Sequence, residues 1–201
     1  MKVLKFGGTS VGSASRIKEV ARLITGRGAN IIVLSAMSGT TNALVEIADY
    51  LYKRNINGAK VTINSLEKRY DAVVSELLED NDLRQAAVER IAAIFAYIRS
   101  FTHVDEFSEI HEKGILAQGE LMSTALMDFY LHEQGFNSVW LPALDFMRTD
   151  HNGEADVDYI TLKLTPMLEA NPEADLYVTQ GFICRNHKGD TDNLPRGGSD
   201  L

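Results

Sequence analysis

The chain has 201 residues, 45% hydrophobic and 24% charged, enough to bury one core of ordinary size, and its longest apolar runs are far too short to span a bilayer as a helix. A formal net charge of −8 without any Lys/Arg run excludes nonspecific nucleic-acid binding, which depends on a basic patch to neutralise phosphates. The single cysteine, Cys184, excludes an internal disulfide and is expected to be an inert packing residue; no Cys/His spacing resembles a zinc site, and a reducing cytoplasm is the expected location.

From the N-terminus, the short apolar run at residues 3–6 reads as a buried strand, entered at once and with no signal peptide before it. It carries Lys5 near its end and runs into Gly7, Gly8, Thr9 and Ser10. Backbone N–H groups, an ammonium and two hydroxyls gathered at one turn suit a phosphate, although Gly-Gly after a strand also serves as a plain tight turn. The lysine precedes the glycines, neither GxxxxGK[ST] nor GxGxxG occurs at this turn, and P-loop and dinucleotide-binding classes are therefore disfavoured.

Ile17, Val20, Ala21 and Ile24 share one face of a helix that Gly26 and Gly28 close, and residues 31–35 form a second strand. A right-handed crossover makes the two strands parallel and sets both strand ends at one edge of the sheet. The second turn, Ser35-Ala-Met-Ser-Gly-Thr-Thr-Asn42, leads into another helix marked by Leu44, Ile47, Ala48 and Leu51. Its hydroxyls suit an anion at a helix N-terminus, while Thr41 or Asn42 would equally serve as an ordinary cap.

Residues 59–131 contain no proline and read as three or four helices, with breaks at Asn81-Asp82 and Thr102-His103 and a further helix beginning near Gly119-Glu120. A carboxylate at such a helix start is stabilised by the dipole; alternatively, Glu120 receives a substrate ammonium. Strands return at residues 139–142 and 176–179, with a helix over 157–170 between them, and Trp140 reads as core. The last fifteen residues are polar and glycine-rich. There Arg196-Gly-Gly-Ser-Asp200 joins a cation to two glycines, a hydroxyl and a carboxylate, and offers either a fork for a substrate carboxylate or ordinary loop charge. The five histidines share no face and are assigned to surface or packing. The order of elements is α/β with a helical insertion at about 59–131.

Taken together, Lys5-Phe-Gly-Gly-Thr-Ser-Val11, Leu34-Ser-Ala-Met-Ser-Gly-Thr-Thr-Asn42, Gly119-Glu-Leu-Met-Ser123, Val178-Thr-Gln-Gly-Phe182 and Arg196-Gly-Gly-Ser-Asp200 resemble, in order along the chain, the aspartokinases of the amino acid kinase family. Residues 145–150 also resemble an Arg-Thr-Asp/Asn element of that family. The resemblance implies a three-layer α/β/α domain with a mainly parallel sheet, of which residues 1–201 are the N-terminal, aspartate-binding part, without the C-terminal half or ACT domains. It implies transfer of the γ-phosphate of ATP, with Mg²⁺ held through its phosphates, to the side-chain carboxylate of L-aspartate, giving 4-phospho-L-aspartate on the route to lysine, threonine and methionine.

By the same resemblance, Lys5 neutralises the transferring phosphoryl group and Gly7, Gly8, Thr9 and Ser10 cradle its oxygens. Ser35 and Thr41 contact aspartate or phosphate, Glu120 the substrate ammonium, Arg196 its α-carboxylate with help from Ser199, and Asp200 orients the lysine. The sequence departs from the family pattern at Pro195, which removes an N–H, and at Asp192, which adds an anion where anions are expected to bind. A relative acting on glutamate, acetylglutamate, carbamate or UMP is disfavoured by the first and last motifs; a catalytically inactive fragment that binds aspartate or a partner subunit is the other alternative. Uncovered sheet edges imply homo-oligomer formation or self-association.

Overall fold

The computed structural model describes residues 1–26 and 28–194. The apolar run at the N-terminus forms β1 (Lys2–Phe6), followed by α1 (Ala14–Ile24), β2 (Asn30–Leu34) and α2 (Thr40–Tyr52). Three long helices come next: α3 (Ile56–Leu77), α4 (Asn81–Ser100) and, after a 3-10 turn at Phe101–His103, α5 (Glu109–Glu133). The chain then makes β3 (Ser138–Leu141), the short α6 (Ala143–Phe146), α7 (Val157–Glu169), β4 (Leu176–Gln180), β5 (Ile183–Arg185) and β6 (Thr191–Asn193).

Four strands pair in the order β1-β2-β4-β3, every neighbour parallel, and β5 with β6 forms a separate antiparallel hairpin. The connection from β1 to β2 and the one from β3 back to β4 run in opposite directions across the sheet, so right-handed crossovers lay their helices on opposite faces. Strand alternation supplies apolar side chains to both. Ile32, Leu34, Leu176 and Val178 pack with α1 to α5 in the main core, whereas Ile31, Val139, Leu141 and Tyr177 pack with α6 and α7 in a smaller one. The result is the three-layer α/β/α arrangement.

Several sequence expectations are corrected. No helix starts at Gly119-Glu120; both residues lie in the middle of α5, so the helix dipole does not account for Glu120. The reason is packing: a β-carbon on Gly119 would lie 3.0 Å from Ala36 Cβ and 3.2 Å from Leu44 Cδ1, and its absence lets α5 press against the β2–α2 turn. Neither Thr41 nor Asn42 caps α2; Gly39 does, at φ 80°, without a side-chain hydrogen bond. The break expected at Asn81-Asp82 falls just before them, where Asp80 caps α4 by accepting from the Leu83 N–H at 2.9 Å. Trp140 is half-buried, its indole N–H donating to Thr124 Oγ1 at 3.0 Å. The stretch read as a polar tail contains β6, the returning strand of the β5–β6 hairpin.

Candidate active site

In an open parallel sheet the loops leaving the C-terminal strand ends form the natural crevice for ligands, most of all where the connections change direction. Here those loops follow β1, β2 and β4, three adjacent strands. They are joined by backbone and side-chain contacts. The Ser38 N–H donates to the Gly8 carbonyl at 3.1 Å, and the Ser35 N–H to the Phe6 carbonyl at 3.1 Å. Gly8 admits no side chain, because its β-carbon would lie 2.6 Å from the Ala36 carbonyl oxygen. Gly7 meets nothing within 4 Å in the same direction, which leaves open space above the turn.

Helix α2 begins at this edge, and its cap, Gly39, offers no side-chain hydrogen bond to the first turn. The Thr40 N–H is bonded to the Met37 carbonyl at 2.9 Å, while the positive dipole end of the helix lies at this edge, a setting that suits phosphate or carboxylate. Thr40 is fully buried and its hydroxyl is bonded to Tyr70 Oη at 3.0 Å, whereas Thr41 is exposed on that first turn.

The opposite wall is α5. Glu120 is only 4% exposed, and its Oε2 accepts the N–H groups of Gly181 at 2.9 Å and Phe182 at 2.7 Å, immediately beyond β4. Burial pushes its carboxyl up to about 7, against the hydrogen bonds from Phe182, Gly181 and Ile183 and the nearby Lys5 ammonium, which hold it down. One turn further on, Ser123 Oγ donates to the Ser35 carbonyl at 2.9 Å, tying the same helix to the β2 loop. Gln180 closes the floor: its Nε2 donates to Thr124 Oγ1 at 2.7 Å and its Oε1 accepts the Ala143 N–H at 2.7 Å. A lysine, two glycine-rich turns, the N-terminal end of α2 and a buried carboxylate thus converge on one edge.

A model of the amino acid kinase family matches residues 1–201. The chain belongs to the amino acid kinase family. It is similar to lysine-sensitive aspartokinase 3 of Escherichia coli, with 34% identity over 208 residues covering 98% of this chain and 44% of that protein. The aspartokinase of Chlamydia trachomatis is 31% identical over 202 residues, covering 99% of this chain and 44% of its own length. Among solved structures, E. coli aspartokinase III in complex with aspartate and ADP superposes with a TM-score of 0.81 at 28% identity, over 100% of this chain and 44% of that one. The amino acid kinase chain described here therefore spans a little under half the length of these relatives.

Within that fold, the site residues expected from sequence separate into two groups. Lys5, Gly7, Gly8, Thr9, Ser10, Ser35, Thr41 and Glu120 lie at or beside the crevice just described. Arg196, Ser199 and Asp200, together with Pro195, lie outside the described residues. The Arg148-Thr149-Asp150 element is held by structural bonds: Arg148 pairs with Asp156 at 2.5 Å and stacks 3.7 Å over Tyr159, and the Thr149 N–H donates to the Arg185 carbonyl. Cys184 is buried and its thiol is pushed up to about 12, chiefly by burial, in keeping with an inert packing role.

The structure adds residues that no motif marks. Arg69 of α3 donates through Nη2 to the Ser38 carbonyl at 2.6 Å and reaches the Gly12 carbonyl at 3.5 Å, bridging the two glycine loops. Arg16 donates to the Thr9 carbonyl at 2.6 Å. Both stand among other charged residues on helical stretches, so only the tertiary fold distinguishes them. Among the described residues no cluster of His, Cys, Asp and Glu could hold a metal ion, and no helix is long and apolar enough to cross a membrane.

Proposed function

We propose that this chain carries the aspartate- and phosphate-binding part of an aspartate kinase, which transfers the γ-phosphoryl group of ATP to the side-chain carboxylate of L-aspartate to give 4-phospho-L-aspartate and ADP. The observation that carries the proposal is Glu120: a buried carboxylate beside Lys5, facing two glycine turns across a crevice at the strand ends. The relatives are named aspartokinases, and one was solved with aspartate and ADP.

The chemistry suits these residues. The substrate carboxylate is already ionised at neutral pH, so it attacks the γ-phosphorus without a protein base while the bond to the bridging oxygen of ADP breaks. The protein must then position two anions and offset their repulsion. Lys5, the glycine turn at Gly7 and Gly8 with the hydroxyls of Thr9 and Ser10, and the start of α2 beside Ser35 and Thr41 supply positive charge and donors for that purpose. Mg²⁺, held through the ATP phosphates, would offset further negative charge. Glu120 takes the substrate ammonium, Arg196 with Ser199 its α-carboxylate, and Asp200 orients Lys5. The edge strand β1 exposes Val3, which suits association with further protein.

Calorimetric titration of the chain with L-aspartate and, separately, with MgATP tests the proposal, with Glu120→Ala and Arg196→Ala as controls. Aspartate binding that both substitutions abolish supports the assignment. Binding that survives Glu120→Ala, or no aspartate binding by the parent chain, refutes it.

A further inference from the structure

Asp192 departs from the family pattern as an anion placed close to an anion-binding loop, and the structure gives it a partner. Lys113 of α5 reaches Asp192 Oδ1 at 2.9 Å and, one turn back on its own helix, Glu109 Oε1 at 3.0 Å. The bond to Asp192 is the main reason the Lys113 ammonium holds its proton more tightly than an ordinary lysine. Asp192 Oδ1 also accepts the N–H of Asn193 at 2.7 Å, which fixes the carboxylate relative to its own strand.

The pair occupies a particular place. Lys113 and Glu120 are seven residues apart, two turns along α5, and so project from one side of that helix. Glu120 holds the start of the hairpin through the Gly181 and Phe182 N–H groups, and Lys113 holds its returning strand through Asp192. Between them the Leu194 N–H donates to the Phe182 carbonyl at 2.8 Å, and Leu194 is 8% exposed. Arg196 follows Leu194 by two positions in the sequence. The other side of the hairpin is already fixed, since the Arg185 N–H donates to the Met147 carbonyl at 2.9 Å and its Nε to the Leu144 carbonyl at 2.8 Å.

We infer that Lys113 and Asp192 are a pair of positioning residues: their ion pair clamps β6 onto α5 and thereby holds Leu194 and, through it, Phe182 in place beside Glu120. This rests on the aspartate-binding reading above. Asp192 is not then an anion competing with substrate, because its charge is engaged by Lys113. A hairpin whose strands are three residues each has few backbone bonds of its own, so a single side-chain clamp has a large share in holding it.

The test uses the full 201-residue chain and two readouts. Amide hydrogen exchange at Asn193 and Leu194 is compared between the parent, Lys113→Met, Asp192→Asn, the double variant and Lys113→Arg, with amides of β2 and β4 as an internal reference; L-aspartate affinity is measured by calorimetry on the same set. Each single charge removal is expected to speed exchange at Leu194 at least about tenfold while β2 and β4 are unchanged, and to weaken aspartate binding about tenfold. The double variant should be no worse than either single one, and Lys113→Arg should match the parent. Unchanged exchange at Leu194 overturns the clamp. Faster exchange with unchanged aspartate affinity overturns the positioning role, leaving a merely structural bond. If the parent binds no aspartate, the functional reading and the positioning role fail together, while exchange still decides whether the clamp exists.

Discussion

Glu120 makes the stability of this protein depend on pH in a direction opposite to that of most carboxylates. Its folded-state pKa of about 7 stands above the ordinary 4.5, so the folded chain holds this proton more tightly than the unfolded chain does. Stability is therefore greatest below pH 4.5 as far as this group is concerned, declines as the unfolded form ionises alone, and reaches its full loss above pH 7. The gap between 4.5 and about 7 corresponds to about 3 kcal/mol. Glu120→Gln removes the ionisation while keeping an oxygen that can accept the Gly181 and Phe182 N–H groups. Urea unfolding of parent and variant from pH 5 to 8.5 should show the variant gaining on the parent by about 3 kcal/mol across that interval. A ligand ammonium favours the ionised carboxylate, so aspartate binding near pH 7 should release a fraction of a proton, read as a dependence of the calorimetric heat on buffer ionisation enthalpy. A stability difference that stays flat within about 0.5 kcal/mol between pH 5 and 8.5 would refute the assignment of a desolvated, proton-holding carboxyl at this position.

Gly8→Ala should destabilise the chain by about 2 kcal/mol or more in the same unfolding assay, because the new methyl meets a backbone carbonyl at 2.6 Å that can retreat only by moving the β2 loop. Gly119→Ala should cost less, about 1 kcal/mol, since the atoms it meets are side chains. Arg54 adopts φ 53° where the chain leaves α2, with the Asn55 N–H bonded to the Tyr50 carbonyl and the Arg54 N–H to the Leu51 carbonyl, the turn in which glycine is favoured; Arg54→Gly should therefore raise stability by about 0.5 kcal/mol, checked by denaturant midpoint. Tyr70→Phe removes the buried partner of Thr40 Oγ1 and should cost about 1 kcal/mol, read by thermal unfolding.

What the sequence made legible was whatever local chemistry punctuates. The turns after β1 and β2 announce themselves through glycines and hydroxyls at the ends of short apolar runs, and α1 through one apolar stripe closed by Gly26, because each signal lies within a dozen residues. Gly119 misled for the same reason. In a linear pattern glycine reads as a break, whereas here its missing β-carbon answers Ala36 and Leu44, partners about eighty residues away. The cap of α2 was misplaced because a left-handed Gly39 is as good a start as a hydroxyl side chain, and Thr40 is engaged instead by Tyr70. Arg69 and Lys113 were invisible as site-supporting groups, since a charged residue in a charged helix gives no hint of which loop it will meet. The β5–β6 hairpin was hidden by its three-residue strands and polar composition.

The strand order β1-β2-β4-β3 has a consequence for how the chain comes into being. β4 lies between β2 and β3 yet is synthesised after both, and residues 30–34 wait for residues 176–180 before their second edge is paired. Until β4 is made, the edge of β2 that it covers has no strand to pair with. The Glu120 carboxylate has to stay hydrated until Gly181 and Phe182 arrive to bond it. One five-residue strand thus pairs with both β2 and β3 and leads directly into the N–H groups that hold the buried carboxylate. Long-range pairing of this kind is slow to form and is where nascent chains are most exposed to aggregation.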